Sequence, residues 1–453
     1  MKRCLIFLGM IGCIVVAAAQ QPYKLPPYKQ PLYMKPPVKQ DPLTLQQAVN
    51  IALKNSLDLQ LAQNDLEANT LLNTYGYAGG LPLIQATVND NEQTTNLTQR
   101  LNSGEEIKRT GNVSNALQSG LGASIILFNG RKVVATKRRL EQLQQLSDTQ
   151  LDSMILRVVA NVELKYYDVV RQQSLAGTLS QSIAVSQQKL DIVKARKEVG
   201  MANDADLFQA LVDINAQQQA LQTQDLVIRQ SKTDLLTLLT LRPDSVIIIK
   251  DTVLVDKTIS LDSILSRLYT ENPRLQAADI QVRINELRER EAAALRYPSL
   301  SANAGYNFNR TSSSAGNVTF NQNYGPYVGA GLTIPIFNGG IYKKQQQVAA
   351  IDTRNAKLLK ETYLRDYTAV AVKAWQAYNN NLEQLATAQN TYELSGKLVS
   401  LTIQQLQLGQ ATVIDVKTAQ QSFEVAGYQL TNLAYAAKAA EIELKLLANM
   451  LSY

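Results

Sequence analysis

The chain has 453 residues, with 45 Lys and Arg against 38 Asp and Glu, two cysteines and no histidine. Cys4 and Cys13 both fall in what reads as a removable leader, so the mature chain has neither thiol nor imidazole, which excludes Cys nucleophiles, Ser/His/Asp triads, disulfides and Cys/His metal or haem sites. The net charge of +7 sits at the start: Lys2 and Arg3 account for two units and Lys24, Lys29, Lys35 and Lys39 against Asp41 for three, so residues 44–453 carry +2, which argues against a nucleic-acid surface as the main business of the chain.

Residues 1–19 have the three parts of a secretory signal peptide: Lys2-Arg3, an apolar run from Leu5 to Val16, and Ala17-Ala18-Ala19 before Gln20. Met10-Ile11-Gly12-Cys13 resembles a lipobox, but the apolar Ile14-Val15-Val16 after it fits a signal core better. Residues 20–43, rich in Pro, Lys, Tyr and Gln, are expected to form an extended, polyproline-like arm. After the leader no apolar run approaches the ~20 residues of a membrane-spanning helix, so any span must be made of strands.

A first structural repeat is expected over 44–242, a linker over 243–260 and a second repeat over 261–453. Leu45 to Asn73 corresponds to Leu261 to Ala293, and Leu81-Pro82-Leu83 to Tyr297-Pro298-Ser299. Phe128-Asn129-Gly130 matches Phe337-Asn338-Gly339 at an offset of 209, and Gly200 and Asp206 match Gly409 and Asp415 at the same offset. Each half reads helix, hairpin, long helix, break, shorter helix.

Between Arg131 and Val199 the only glycine is Gly177, and Leu140, Leu143, Leu146 or Ser147, Leu151, Met154, Val158 and Val162 recur at helical spacing. One helix, or two nearly continuous ones, of ~70 residues would be about 100 Å long and could persist only by packing in a coiled coil. Leu207, Leu211, Ile214 and Leu221 continue the seam after the break at 200–203.

The hairpins alternate differently. Ile84, Ala86 and Val88, then Leu121, Ala123, Ile125 and Leu127, then Ala302, Ala304, Tyr306 and Phe308, then Val328, Ala330, Leu332, Ile334 and Ile336 each alternate with small or polar residues. Strands of about 9–11 residues in this pattern suit a transmembrane barrel, with polar connections at 91–113 and 311–322 facing outward. Four strands cannot close, and open edges are not tolerated in hydrocarbon, so several chains must contribute. Two chains would leave little lumen; three would give a wider, twelve-stranded tube. The fold class is therefore a mixed α and β membrane protein: a coiled-coil helical barrel joined to a β-barrel. The rival reading keeps the hairpins on the surface of a secreted structural coiled coil.

Phe128-Asn129-Gly130 and Pro335-Ile336-Phe337-Asn338-Gly339-Gly340 stand where a strand gives way to a long helix. With the duplicated halves, Tyr297-Pro298-Ser299-Leu300, and the Gly409 to Asp415 break, they resemble the TolC-like outer membrane efflux protein family over residues 44–450. The resemblance implies a homotrimer in outer-membrane lipid, a periplasmic helical tunnel, a periplasmic adaptor and an inner-membrane pump. It also implies a passive duct without cofactor or catalysis, gated at its periplasmic tip by coiling of the helices.

The turns at 200–206 and 409–415 are expected to form that tip, with Gly200 and Gly409 as C-caps able to take positive φ. By resemblance Asp415, and less so Asp206, would line the constriction; independently, Asn203-x-x-Asp206 and Thr412-x-x-Asp415 read as capping boxes. Ala411 and Thr418 depart from salt-bridging positions of some family members, so no such latch carries over. Lys194, Arg196, Lys197 and Lys417 read as solvated, Trp375, Tyr378, Tyr166 and Tyr167 as packing residues, and Tyr75, Tyr77, Tyr297, Tyr324 and Phe337 as an aromatic girdle.

Overall fold

The computed structural model describes residues 42–451; the expected signal peptide, the lipobox alternative and nearly all of the Pro-rich arm lie outside them. Helix α1 (Leu45–Asn55) starts at a capping box in which the Gln47 N–H donates to Thr44 Oγ1 at 3.3 Å and the Thr44 N–H to Gln47 Oε1 at 3.1 Å. Ser56 ends it and caps α2 (Leu57–Leu72). Their counterparts are α5 (Leu261–Glu271) and α6 (Pro273–Ala294), where Asn272 caps and Pro273 fills the first helical position, whose N–H would have no partner.

The hairpins are β1 (Leu83–Arg100) with β2 (Glu106–Asn129), and β3 (Ser299–Ser313) with β4 (Phe320–Thr333). They form one antiparallel sheet in the order β1-β2-β3-β4, leaving β1 and β4 as edges. Two expectations change here. Residues 91–100 and 106–113 are strand rather than connection, because the ladder continues, with one register shift between Thr95 and Leu97, to Arg100 opposite Glu106; likewise 311–313 and 320–322 are strand, with Ser312 opposite Phe320. Polarity marks the solvent around a strand, not the end of its ladder. The alternation through Leu127 is also interrupted: the register shifts between Ile126 and Phe128, so Phe128, opposite Leu300, takes the apolar side, and β4 stops at Thr333, before Ile334 and Ile336.

The long helices follow. Helices α3 (Lys132–Glu198) and α7 (Ile341–Gln407) have 67 residues each, and α4 (Asp204–Leu238) and α8 (Val413–Leu447) have 35 each, all at the offset of 209 read from the sequence. At 1.5 Å per residue the long pair runs about 100 Å and the short pair about 50 Å. Near the sheet the helices lie side by side as α2-α3-α6-α7; beyond it the order is α4-α3-α8-α7. Each tier, like the sheet, is a row with two open edges.

The row is curved. A cavity of about 620 Å³ is lined together by Asp58 of α2, Gln150 of α3, Gln281 of α6 and Tyr367 of α7, so the outermost helices reach round to a common concave side. The opposite face of α3 carries Val159, Val162 and Tyr166, buried with Leu43, Val49, Leu235, Ile247 and Ile249. Residues 243–260 are therefore more than a linker: they strap the convex side at mid-length. The Leu43 N–H donates to the Ile248 carbonyl at 2.8 Å, and the Tyr166 hydroxyl donates to the Leu43 carbonyl at 3.0 Å. In the second half the Tyr378 hydroxyl donates to the Asp256 carbonyl, while the buried Glu441 carboxylate accepts from the Asp256 N–H at 2.9 Å, Lys438 at 2.9 Å and Lys445 at 2.7 Å. The tyrosines are packing residues, as expected.

Strand passes to helix through Gly130 (φ 65°) and Gly339 (φ 66°). Their surroundings differ: a Cβ on Gly130 would lie 2.7 Å from Tyr297 Cβ and 2.8 Å from the Ala294 carbonyl, whereas one on Gly339 meets nothing within 4 Å. Gly339→Ala should cost only the left-handed backbone penalty of about 1–2 kcal/mol. Gly130→Ala adds a clash with backbone, and its thermal midpoint in detergent should fall well below that of Gly339→Ala; equal midpoints would contradict the close approach.

Candidate functional site: a two-faced sheet and a polar tip

Strand register assigns every side chain of the sheet to one of two faces. One carries Ile84, Ala86 and Val88, then Ala123 and Leu121, then Ala302, Ala304, Tyr306 and Phe308, then Leu332, Ala330, Val328 and Tyr324. Val328 is 87% exposed in the single chain, and Phe308 stacks on Tyr324 with ring centroids 6.5 Å apart. The other face carries Gln85, Thr87, Asn89, Gln118, Asn303, Asn307, Asn309 and Asn323, with Gly120, Gly122, Gly305, Gly325, Gly329 and Gly331 between them. An apolar face beside a face of amides and glycines is what a wall between lipid and water requires. Tyr75, Tyr77, Tyr297, Tyr324 and Phe337, read as a girdle, are all exposed. Beyond Val88 the first face turns to Asp90 and Glu92, so the rest of the β1-β2 ribbon projects into water. Among the described residues no helix is long and apolar enough to cross a membrane.

Phe128-Asn129-Gly130 and Phe337-Asn338-Gly339 stand at the passages from β2 to α3 and from β4 to α7. Phe128 and Phe337 are exposed and Asn129 Oδ1 accepts the Val133 N–H at 3.3 Å, while the buried Asn338 Nδ2 finds no partner.

At the other end both helix turns close on glycine. Gly200 and Gly409 each have φ 76°, and the next residues donate back five positions, Met201 to the Arg196 carbonyl at 2.7 Å and Gln410 to that of Gln405 at 2.8 Å. These are Schellman endings, which glycine permits. Both capping boxes form: the Asp206 N–H donates to Asn203 Oδ1 at 2.8 Å, and the Asp415 N–H to Thr412 Oγ1 at 3.2 Å. The N–H and hydroxyl of Thr412 in turn donate to Asp415 Oδ2 at 2.8 and 2.7 Å, which holds this exposed carboxyl below its ordinary range. Asp206 and Asp415 sit on separate turns and do not meet within the chain.

Three cations read as solvated are bound instead. Arg196 Nη1 donates to the Leu406 carbonyl at 3.0 Å, satisfying the end of α7; Lys197 pairs with Asp204; Lys417 Nζ lies 2.9 Å from Asp213 Oδ1. Each partner lies across a turn or on another helix.

Above the turns lies a polar layer that the sequence reading did not single out. Lys189 of α3 is fully buried, and its ammonium contacts Asp213 Oδ2 of α4 at 2.7 Å; Gln209 donates to Asp213 Oδ1 at 2.8 Å. Burial pushes the Asp213 carboxyl upward, but hydrogen bonds from Lys189 and Lys417 outweigh it and hold the group below its ordinary value. A step further from the tip, Gln420 Nε2 reaches Ser182 Oγ at 2.6 Å and Ser186 Oγ at 2.7 Å, and Gln217 Nε2 reaches Glu424 Oε1 at 2.6 Å. The layer joins α3, α4 and α8. Correspondingly the seam of α4 runs through Ala210, Asp213, Ile214 and Gln217, and Leu211 is turned outward.

A two-faced sheet with open edges, continued by helices about 100 Å long in a curved row, defines a class: one wall segment of an outer-membrane channel. The chain matches the family described as "Outer membrane efflux protein" over residues 48–240 and 264–450, and it belongs to that family. It is 25% identical over 350 residues to the outer membrane protein TolC of Vibrio cholerae, covering 74% of this chain and 78% of that protein. Its fold is similar to the crystal structure of the CmeC outer membrane channel of Campylobacter jejuni, with a TM-score of 0.73 at 18% identity over 90% of this chain and 85% of that one. It is likewise similar to VceC of Vibrio cholerae, with a TM-score of 0.72 at 16% identity over 89% and 95%. The chain is an outer-membrane protein whose helices make up a large periplasmic portion, and the secreted coiled-coil alternative is set aside.

Proposed function

We propose that three copies close into a twelve-stranded barrel and a continuous helical tunnel that passively conducts substrates out of the cell. The open edges of the sheet carry this reading: unpaired backbone at β1 and β4 cannot stay in hydrocarbon, and rotation of one chain onto the next pairs β4 with β1. The helical edges support it, since α4 exposes Phe208 (61%), Val212 (62%) and Leu226 (53%), and α7 exposes Leu394, Leu398 and Leu401. Two chains would give eight strands, whose interior is filled by side chains; three leave a lumen.

An inner-membrane pump would supply energy, and a periplasmic adaptor would engage the turns at 200–206 and 409–415. No catalytic step is assigned. Threefold symmetry would bring three Asp415 carboxylates around the axis, a ring that favours cations. Asp415→Ala in planar bilayers should lower cation selectivity and remove block by divalent cations from the periplasmic side. Unchanged selectivity and block would remove Asp415 from the constriction, and a detergent-extracted monomer without conductance would overturn the duct.

A further inference from the structure

We propose that Arg131, Arg138 and Arg290 form a headgroup site for an anionic glycerophospholipid of the periplasmic leaflet. The first two turns of α3 and the last two of α6 enclose a groove of about 490 Å³, lined by Arg131, Val134, Arg138, Leu287, Arg290 and Tyr297. All three arginines are exposed, and none meets a carboxylate among the described residues. Acids are not scarce nearby; they are engaged elsewhere. Glu141 holds Lys137 at 2.6 Å, Glu286 holds Lys357 at 3.2 Å, Glu291 holds Arg139 at 2.8 Å, and Glu289 accepts from the Thr353 hydroxyl at 3.3 Å. The groove is left with three guanidinium groups in no salt bridge over an apolar floor; Glu141 and Glu286 share only the adjoining hollow with Arg138 and Arg290.

A second observation concerns Arg131 itself. It takes the left-handed conformation at φ 66°, where the other half of the repeat has Gly340 at φ 78°. The first half keeps a guanidinium at a corner where glycine would be easier.

The position selects the ligand. Arg131 follows Phe128 by three residues, and Phe128 closes the apolar face of the sheet, so the groove opens just below the lipid-facing band. It opens on the convex side: Arg138 belongs to the heptad series Arg138, Gln145, Asp152, Val159 and Tyr166, whose last two members lie under the strap. It sits between α3 and α6, the middle of the row, so a neighbouring copy joined at α2 or α7 leaves it open. The N-terminal arm, with Lys24, Lys29, Lys35 and Lys39 against Asp41, has the wrong charge to fill it. Guanidinium groups bind phosphate through paired N–H donors, while Val134 and Leu287 can cover the start of an acyl chain.

The inference rests on the apolar face being the lipid-facing one, not on conduction. Its test is native mass spectrometry of the full-length protein from micelles holding equal phosphatidylglycerol and phosphatidylethanolamine. The wild type should retain phosphatidylglycerol about tenfold over phosphatidylethanolamine, up to one per chain. Arg131→Gly/Arg138→Gln/Arg290→Gln should bring that ratio near one with the oligomer mass and helical signal unchanged. A wild-type ratio near one, or an undiminished ratio in the triple variant, overturns the site. So does displacement of the lipid by inorganic phosphate alone, or capture of residues 20–41 rather than lipid by a photoreactive group at position 138. Conductance of the same preparation reads the duct separately.

Discussion

Val328→Arg should abolish stable insertion, whereas Gly329→Ser, one residue along the same strand, should be tolerated. Val328 lies midway along the apolar face of β4, between Tyr324 and Leu332, with Ala304 opposite it on β3. An arginine at the bilayer midplane of a barrel costs about 2–4 kcal/mol, and a symmetric oligomer carries that cost once per chain. Few membrane proteins retain enough net stability to absorb it, given that ordinary domains hold about 5–15 kcal/mol in total. Gly329 has the opposite orientation, and a Cβ there meets nothing within 4 Å. A serine would join the amides of the aqueous face. The measurement is the fraction of each variant recovered as heat-modifiable oligomer from outer membranes. Normal recovery of Val328→Arg, or loss of Gly329→Ser, would reverse the assignment of lipid and water to the two faces.

The 209-residue offset was readable because Phe128-Asn129-Gly130 and Gly200 to Asp206 recur at equal spacing, and equal spacing requires equal helices. The strands were readable as far as one face stayed apolar. Outside the membrane that contrast vanishes: Asp90 to Arg100 and Glu106 to Val113 continue the ladder with water on both sides, so periodicity carries no information there. The strap at 243–260 was legible only as a gap between repeats, because two buried isoleucines in an irregular segment have no period to reveal them.

The tip was half legible. Asn203, Asp206, Thr412 and Asp415 announce their capping boxes through local spacing, and both form. Arg196 and Lys417 were misread because their partners, Leu406 and Asp213, are about two hundred residues away in sequence. The polar layer was invisible because its partners lie on different helices, whether 24 residues apart, as Lys189 and Asp213, or 238 apart, as Ser182 and Gln420. Lys189, Asp213, Gln217 and Gln420 are residue types of solvated helix faces, and only the junction of α3, α4 and α8 makes them interior.

That layer carries the second large effect. Asp213→Ala should open the tip half of the helical bundle, because it leaves the ammonium of Lys189, 0% exposed, without its counter-charge. Removing one partner of a buried pair typically costs about 3–5 kcal/mol, far more than the pair contributes over an apolar replacement. Lys189→Met/Asp213→Leu should therefore recover most of the loss, and Lys417→Met, which leaves Lys189 paired, should cost much less. The pH dependence has a definite sign. The Asp213 carboxyl is held below its unfolded value, so its contribution is present above that value, about 3.9, and is lost as pH falls through the lower folded one. The Asp213 carboxylate therefore gives the tip no sensitivity to pH between 5 and 8. Hydrogen exchange of residues 185–193 and 207–217 in the assembled protein reads both effects. Asp213→Ala should speed exchange there by at least a hundredfold while the barrel strands keep their protection, since each 1.4 kcal/mol is a factor of ten. If exchange at the tip were unchanged, water would have to reach Lys189 in the native state. If it rose equally in the barrel, the two ends would unfold as one unit, and a tip able to loosen on its own would have to be abandoned.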